Sequence, residues 1–165
     1  MNTYTPEKMT EIPAAPTQHQ YFADGSTLVR AEHIPWTEWA LPGTEFKLLD
    51  YDRNRSYTVI LLRISPEAPA VKHKHMGAAN AFILEGGFSY EHGTIRAGQF
   101  MVEAGGVSHT PQIHPDGCTL LGFMYGAVVG LNEDDSIAGL VDVDWMIDRV
   151  RENNAFAHLE DVPRT

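Results

Sequence analysis

Two short stretches of this chain carry residues able to do chemistry. Val71-Lys72-His73-Lys74-His75-Met76-Gly77 sets two imidazoles two positions apart, and Ala104-Gly105-Gly106-Val107-Ser108-His109 supplies a third about thirty residues later. Side chains alternate faces along an extended strand, so His73 and His75 project the same way and can share one ion. A mononuclear site needs a further donor from elsewhere, and the glycine pair before His109 lets the backbone turn tightly before presenting it. The expectation is one divalent metal ion per subunit on His73, His75 and His109. A His-x-His pair also occurs on solvated strands, where Lys72 and Lys74 would form the outer face, so the surrounding elements must decide.

Those elements are short and mostly extended. Met1 to Gln20 is polar and punctuated by Pro6, Pro13 and Pro16, which predicts an extended N-terminal arm over 1–20 ahead of a single domain over 21–165. Tyr21 to Arg30 has room for a short strand, and Trp36 and Trp39 read as packing residues. From Glu45 the signal strengthens. Phe46 to Tyr51 and Ser56 to Ile64 are aromatic and β-branched runs around the turn Asp52-Arg53-Asn54, which predicts a hairpin. Ala70 to His75 resumes as the strand that bears the histidine pair. Asn80 to Tyr90 reads as strand, glycine turn, strand, and Thr94 to Glu103 as a further turn and strand. Cys118 to Tyr125, Ala127 to Leu131 and Ser136 to Val141 continue the meander. Many short strands separated by Gly, Pro and Asp turns predict an all-β sandwich or barrel. Only the segment over 142–153 reads as helix, with Val143, Met146, Ile147 and Val150 on one face and Asp142 able to cap its start.

Composition narrows the partners. Twelve Lys+Arg against 22 Asp+Glu give a formal charge of −10, which repels nucleic acid and anionic lipid alike. No apolar run approaches the roughly 20 residues of a bilayer span. The single cysteine, Cys118, cannot form an internal disulfide and reads as a small core hydrophobe; with no basic and apolar leader at the N-terminus, a cytoplasmic setting is expected.

His73-x-His75, the Leu84-Glu85-Gly86 turn, Gly98 opening a strand and Ala104-x-Gly106-x-x-His109 resemble the two signature motifs of the cupin superfamily. Ala104 stands where that pattern usually has proline, and Ala79 and Asn80 stand where it has a glutamate, which points to a site of histidines only. Phe46 to Leu49, Leu61 to Arg63, Ala97 to Phe100, His109-Thr110-Pro111 and the closing helix look like the 2,4'-dihydroxyacetophenone dioxygenase group, with acetylacetone-cleaving dioxygenases close by. The resemblance covers Glu32 to Phe156. It implies a small cupin, a double-stranded β-helix with a jelly-roll-like barrel, assembled as a homodimer or homotetramer. It also implies iron(II), with zinc or nickel as alternatives, and cleavage by dioxygen of a carbon-carbon bond beside a carbonyl in a small hydroxyketone or diketone. A non-redox zinc or nickel enzyme and a metal-binding sensor domain are the alternative functions.

Asn80 falls at the position of the family's carboxylate and is expected as a hydrogen-bonding neighbour of the ion or as a weak fourth ligand, the first being favoured. Phe82 and Leu84 share its strand parity and are expected as pocket walls, with Tyr57, Phe100, Phe123 and Tyr125 available to line an aromatic-sized cavity. His114, an odd number of residues after His109, is expected to turn away. His19, His33, His92 and His158 lack partners at ligand spacing. Glu85 reads as structural, and Glu91 and Glu103 as surface charges.

Overall fold

The structure, a computed structural model, describes residues 19–160. The expected arm over 1–20 lies almost wholly outside the described residues. Its last two positions open β1 (His19–Tyr21), which pairs with β2 (Thr27–Val29). The barrel strands are β3 (Thr37–Glu38), β4 (Thr44–Asp52), β5 (Tyr57–Ile64), β6 (His73–His75), β7 (Ala79–Tyr90), β8 (Gly93–Arg96), β9 (Phe100–Glu103), β10 (Ser108–His109), β11 (Gln112–Tyr125), β12 (Val128–Leu131) and β13 (Ile137–Val141), followed by the helix α1 (Val143–Glu152). They form two antiparallel sheets. The larger runs β3-β4-β5-β11-β7-β8 with β9 also on β7, and the smaller runs β10-β6-β12-β13. This is an all-β jelly roll with a C-terminal helix, the barrel that the strand pattern predicts and the cupin form that the resemblance implies.

The β4–β5 hairpin forms where the turn chemistry places it. The Asp52 carboxylate accepts from the backbone N–H of Asn54 at 2.9 Å and of Arg55 at 3.1 Å, an Asx turn that reverses the chain. The glycine turn expected inside 80–90 is instead a bulge within one continuous strand. Gly86 has a φ of +62°, and a Cβ there would lie 2.0 Å from the carbonyl oxygen of Gly117. The pairing of β11 with β7 shifts register around it. A bulge and a turn share the same glycine signal, and only the cross-strand partner separates them.

Two cores fill the interior. One joins Phe46, Leu48 and Ile60 of the large sheet to Met146, Ile147 and Val150 of α1 and to Phe156. Asp142 caps α1, its carboxylate accepting from the Trp145 N–H at 2.8 Å. Trp39 stands edge-on to both Phe46 and Trp145, which makes it the packing residue expected of it. Trp36 is flanked by the Lys47 ammonium at 4.7 Å and the Arg63 guanidinium at 4.3 Å from its ring centre. The second core contains Ile83, Phe88, Met101, Cys118 and Leu120. Burial pushes the Cys118 thiol up to about 11, so it is an unreactive core group. No helix among the described residues is long and apolar enough to cross a membrane.

Candidate metal centre

Backbone packing brings the two histidine segments together. A Cβ on Gly77 would lie 1.6 Å from the carbonyl oxygen of Tyr125, which requires bare backbone there, and one on Gly105 would lie 3.1 Å from Gly77 Cα, a tight contact between the two loops. Gly106 N–H then donates to the His75 carbonyl at 2.7 Å, and His75 N–H donates to the Val107 carbonyl at 3.2 Å. These bonds place β10 antiparallel to β6, with His109 directly opposite His73.

His73, His75 and His109 converge, their candidate ligand atoms all within 4.8 Å of one another. His109 Nε2 lies 2.7 Å from His73 Nε2, and His73 Nδ1 lies 3.2 Å from the Val71 carbonyl. A carbonyl only accepts, so Nδ1 of His73 carries the proton and its Nε2 presents a lone pair. Burial first, then His109 and His75 nearby, lowers the His73 pKa to about 4. Burial also lowers that of His75, while Glu103 works against the shift. Neutral imidazoles are the form that binds a metal ion, so the donor set fits one.

Glu103 is the functional residue that sequence reasoning missed. Expected as a surface charge, its side chain is only 11% exposed and stands 3.2 Å from His75 Nε2 and 2.9 Å from His109 Nδ1. The contact with His109 has the distance of an ion pair without the alignment of a hydrogen bond. A carboxylate beside a histidine is the usual partner behind a metal-binding imidazole, and the opposite nitrogen of His109, Nε2, faces His73. No sequence signal marked it, because Phe100 and Val102 read as well for the inner face as Met101; the structure sets the direction. Met101 is buried between exposed Phe100 and Val102, so Glu103 faces inward with it, opposite Ala79.

The parity of β7 also departs from expectation. Ala79 and Ile83 face the core, which puts Asn80, Phe82 and Leu84 on the opposite, outer parity. Phe82, Leu84, Phe100 and Tyr125 are exposed, Tyr57 and Phe123 are half-buried, and none of the six borders either internal cavity. The expected pocket walls are therefore outer-face residues. Both faces of β7 are apolar, so alternation alone gave no inward direction. Asn80 borders the smaller cavity, and its buried Oδ1 has no hydrogen-bond partner. His114 turns away as expected, bonding Ser89 Oγ at 2.9 Å. Glu85 is exposed at the bulge opposite Thr119, and Glu91 is exposed beyond the end of β7.

Two cavities meet at His73 and His75. One of about 120 Å³ holds all three histidines and Glu103 against Met101, Phe88 and Leu120. The other, of about 420 Å³, is walled by Trp39, Leu41, Trp145, Val128 and Leu140. Glu103 is the one carboxylate among the described residues lining them, and no Lys or Arg lines either. Three imidazoles, a carboxylate and the Asn80 amide thus stand in a chamber whose other walls are apolar.

A jelly roll whose paired short strands bring a His-x-His and a later histidine into one cavity defines a cupin. The model of the ChrR cupin-like domain matches residues 24–128, and the chain belongs to that family. No curated protein matches it. Among solved structures, an RmlC-like cupin of Ralstonia eutropha superposes with a TM-score of 0.68 at 22% identity, over 74% of this chain and 82% of that one. The acetylacetone dioxygenase of Acinetobacter johnsonii superposes with a TM-score of 0.61 at 13% identity, over 92% and 96% of the two chains. At these identities the likeness is one of fold.

Proposed function

We propose that this cupin is a dioxygenase that binds one divalent metal ion, iron(II) by preference, on His73, His75 and His109. It would cleave the carbon-carbon bond beside a carbonyl in a small hydroxyketone or diketone, with dioxygen as co-substrate. The observation that carries the reading is the convergence of three histidine side chains, two of them buried, at the edge of an apolar chamber. Bound iron(II) would supply Lewis acidity toward the carbonyl oxygens and redox chemistry toward dioxygen.

The chain's own residues do the rest. An ion held by three imidazoles alone would still have room for substrate oxygens and dioxygen. Glu103 stands behind the His109 ring, 2.9 Å from its Nδ1, on the side away from His73. The apolar walls exclude water and strengthen every charge interaction inside. The larger cavity, lined by Trp39 and Trp145 without a charged side chain, suits an uncharged substrate of aromatic or branched shape. The lone buried Cys118 accords with a reducing, cytoplasmic setting.

A second reading is favoured by Glu103. Three imidazoles and one carboxylate would also suit zinc, which prefers four nitrogen, sulfur or oxygen donors and has no redox chemistry. A non-redox zinc or nickel cupin, whether enzyme or sensor, would follow. Metal analysis of anaerobically purified protein beside His109→Ala, with oxygen uptake on a panel of hydroxyacetophenones and β-diketones, separates the readings. Stoichiometric iron that is lost in the variant, with substrate-dependent oxygen consumption, is expected. Zinc or nickel without oxygen uptake after iron reconstitution would replace the dioxygenase with the non-redox cupin, and no metal in either protein would remove the site.

A further inference from the structure

Glycines sit in this fold for two different reasons. At Gly77 and Gly86 an added Cβ would lie 1.6 and 2.0 Å from a carbonyl oxygen, so packing itself demands bare backbone. At Gly130 an added Cβ would meet nothing nearer than 3.9 Å, and at Gly139 nothing within 4 Å. Neither has a positive φ, so the bulge beside them, between Gly130 and Leu131, does not call for glycine either. Glycine inside a strand weakens it, and these two weaken β12 and β13 without a contact or a dihedral angle that requires them. The space they leave open belongs to the larger cavity, which both line.

Register ties that space to the metal centre. His109 stands opposite His73, His73 opposite Gly130 and Gly130 opposite Gly139, one row across β10, β6, β12 and β13. Residues opposite one another in a ladder face the same side, so beyond His73 the row continues as bare backbone, about 4.8 Å per strand. The neighbouring row of His75, Val128 and Val141 keeps its side chains and borders the same cavity. The result is a trough two strands wide and one side chain deep. It begins at a metal-binding imidazole and ends at the edge strand β13, where Ala138, Gly139 and Leu140 are exposed. Thr44, only 6% exposed and of the same inward parity as Phe46 and Leu48, lines this cavity too, and its hydroxyl makes no hydrogen bond among the described residues. A buried hydroxyl left without a partner marks a cavity that a ligand completes.

We propose that Gly130 and Gly139 determine the specificity of the site: their trough seats a flat ring attached to the ketone, while the ketone oxygens reach the histidines. This rests on the reading of the chamber as a small-molecule site at a bound metal ion, and adds which residues size the ligand. A flat ring lies on bare backbone where a side chain at either position would take its place. No charged side chain lines the trough, so the ring carries no charged substituent. Entry is past β13, where the trough meets solvent.

Benzoylacetone and acetylacetone share one chelating diketone and differ by a phenyl for a methyl group, so their affinities read the trough apart from the ion. Both are titrated by calorimetry into the anaerobically purified full chain, with metal content measured on the same samples. The native chain is expected to bind benzoylacetone at least tenfold more tightly than acetylacetone. Gly130→Val and Gly139→Val should each bring the two affinities within twofold, with acetylacetone binding, metal content and the near-UV spectrum unchanged. If a valine variant fails to fold, Gly130→Ala and Gly139→Ala are expected to narrow the phenyl preference at least threefold. A native chain without that preference would overturn the proposal, as would a preference that survives in the folded variants. Equal loss of both ligands in the variants would place the effect at the ion and overturn it as well. The phenyl preference and its loss, found in a protein that takes up no oxygen, would uphold the trough and remove the dioxygenase; oxygen uptake on β-diketones without the preference would do the reverse.

Discussion

The core beneath α1 and the core around Met101 draw on the same residue types, yet they end differently. Under α1, Phe46, Leu48, Ile147 and Val150 are fully buried, and the helix lays Met146 and Ile147 across β4 and β3 to close the barrel. Around Met101 no helix among the described residues covers the strands. Their side chains stop short of the β6–β10 ladder, leaving the chamber that receives three imidazoles and Glu103. One end of the barrel is stabilised by packing and the other holds polar groups that packing would exclude. Buried polar groups of that kind need partners; His73 Nε2 meets His109 Nε2, and Glu103 stands at ion-pair distance from His75 and His109.

If the two ends are as independent as this division implies, substitutions will separate stability from metal binding. The largest effect is expected for Phe46→Ala, which removes a fully buried ring from the closed core and should cost about 3–5 kcal/mol in urea unfolding. Its metal stoichiometry, by elemental analysis of the folded fraction, should stay at the native value; a parallel loss would show the two ends to be coupled. Glu103→Gln keeps the shape of the side chain and removes its charge. It should weaken metal affinity about 10–100-fold in chelator competition, as loss of a carboxylate behind a ligating histidine does, with a smaller change in the unfolding midpoint. Unchanged affinity would return Glu103 to a packing role.

Asp142→Ala tests the closed end at its margin. Loss of the cap on the Trp145 N–H should lower stability by about 1 kcal/mol and leave the metal site untouched. The smallest effect is expected for Asn80→Ala. Its amide oxygen has no partner to lose, and its parity is that of the outer face, so metal affinity should move less than about twofold. A larger loss would make the amide a ligand or a bonded neighbour of the ion after all.

Much was legible in the chain before any fold. The β4–β5 hairpin follows from β-branched runs around an Asp-Arg-Asn turn, α1 from one apolar stripe behind Asp142, and the histidine pair from a spacing that any strand would present on one side. These are local facts, governed by backbone dihedrals and side-chain period. Which face of a strand looks inward is a different kind of fact. In β7 and β9 both faces carry apolar residues, so Phe82, Phe100 and Val102 read as well for the pocket as Ala79, Ala81 and Met101. Only the pairing of Glu103 with Ala79, and of that strand with β11, set the direction. The bulge at Gly86 and the burial of Glu103 were decided the same way, by partners distant in sequence. Spacing determined that three imidazoles could meet. Tertiary structure decided what stands behind them, because register and sheet closure depend on contacts that no single stretch of chain contains.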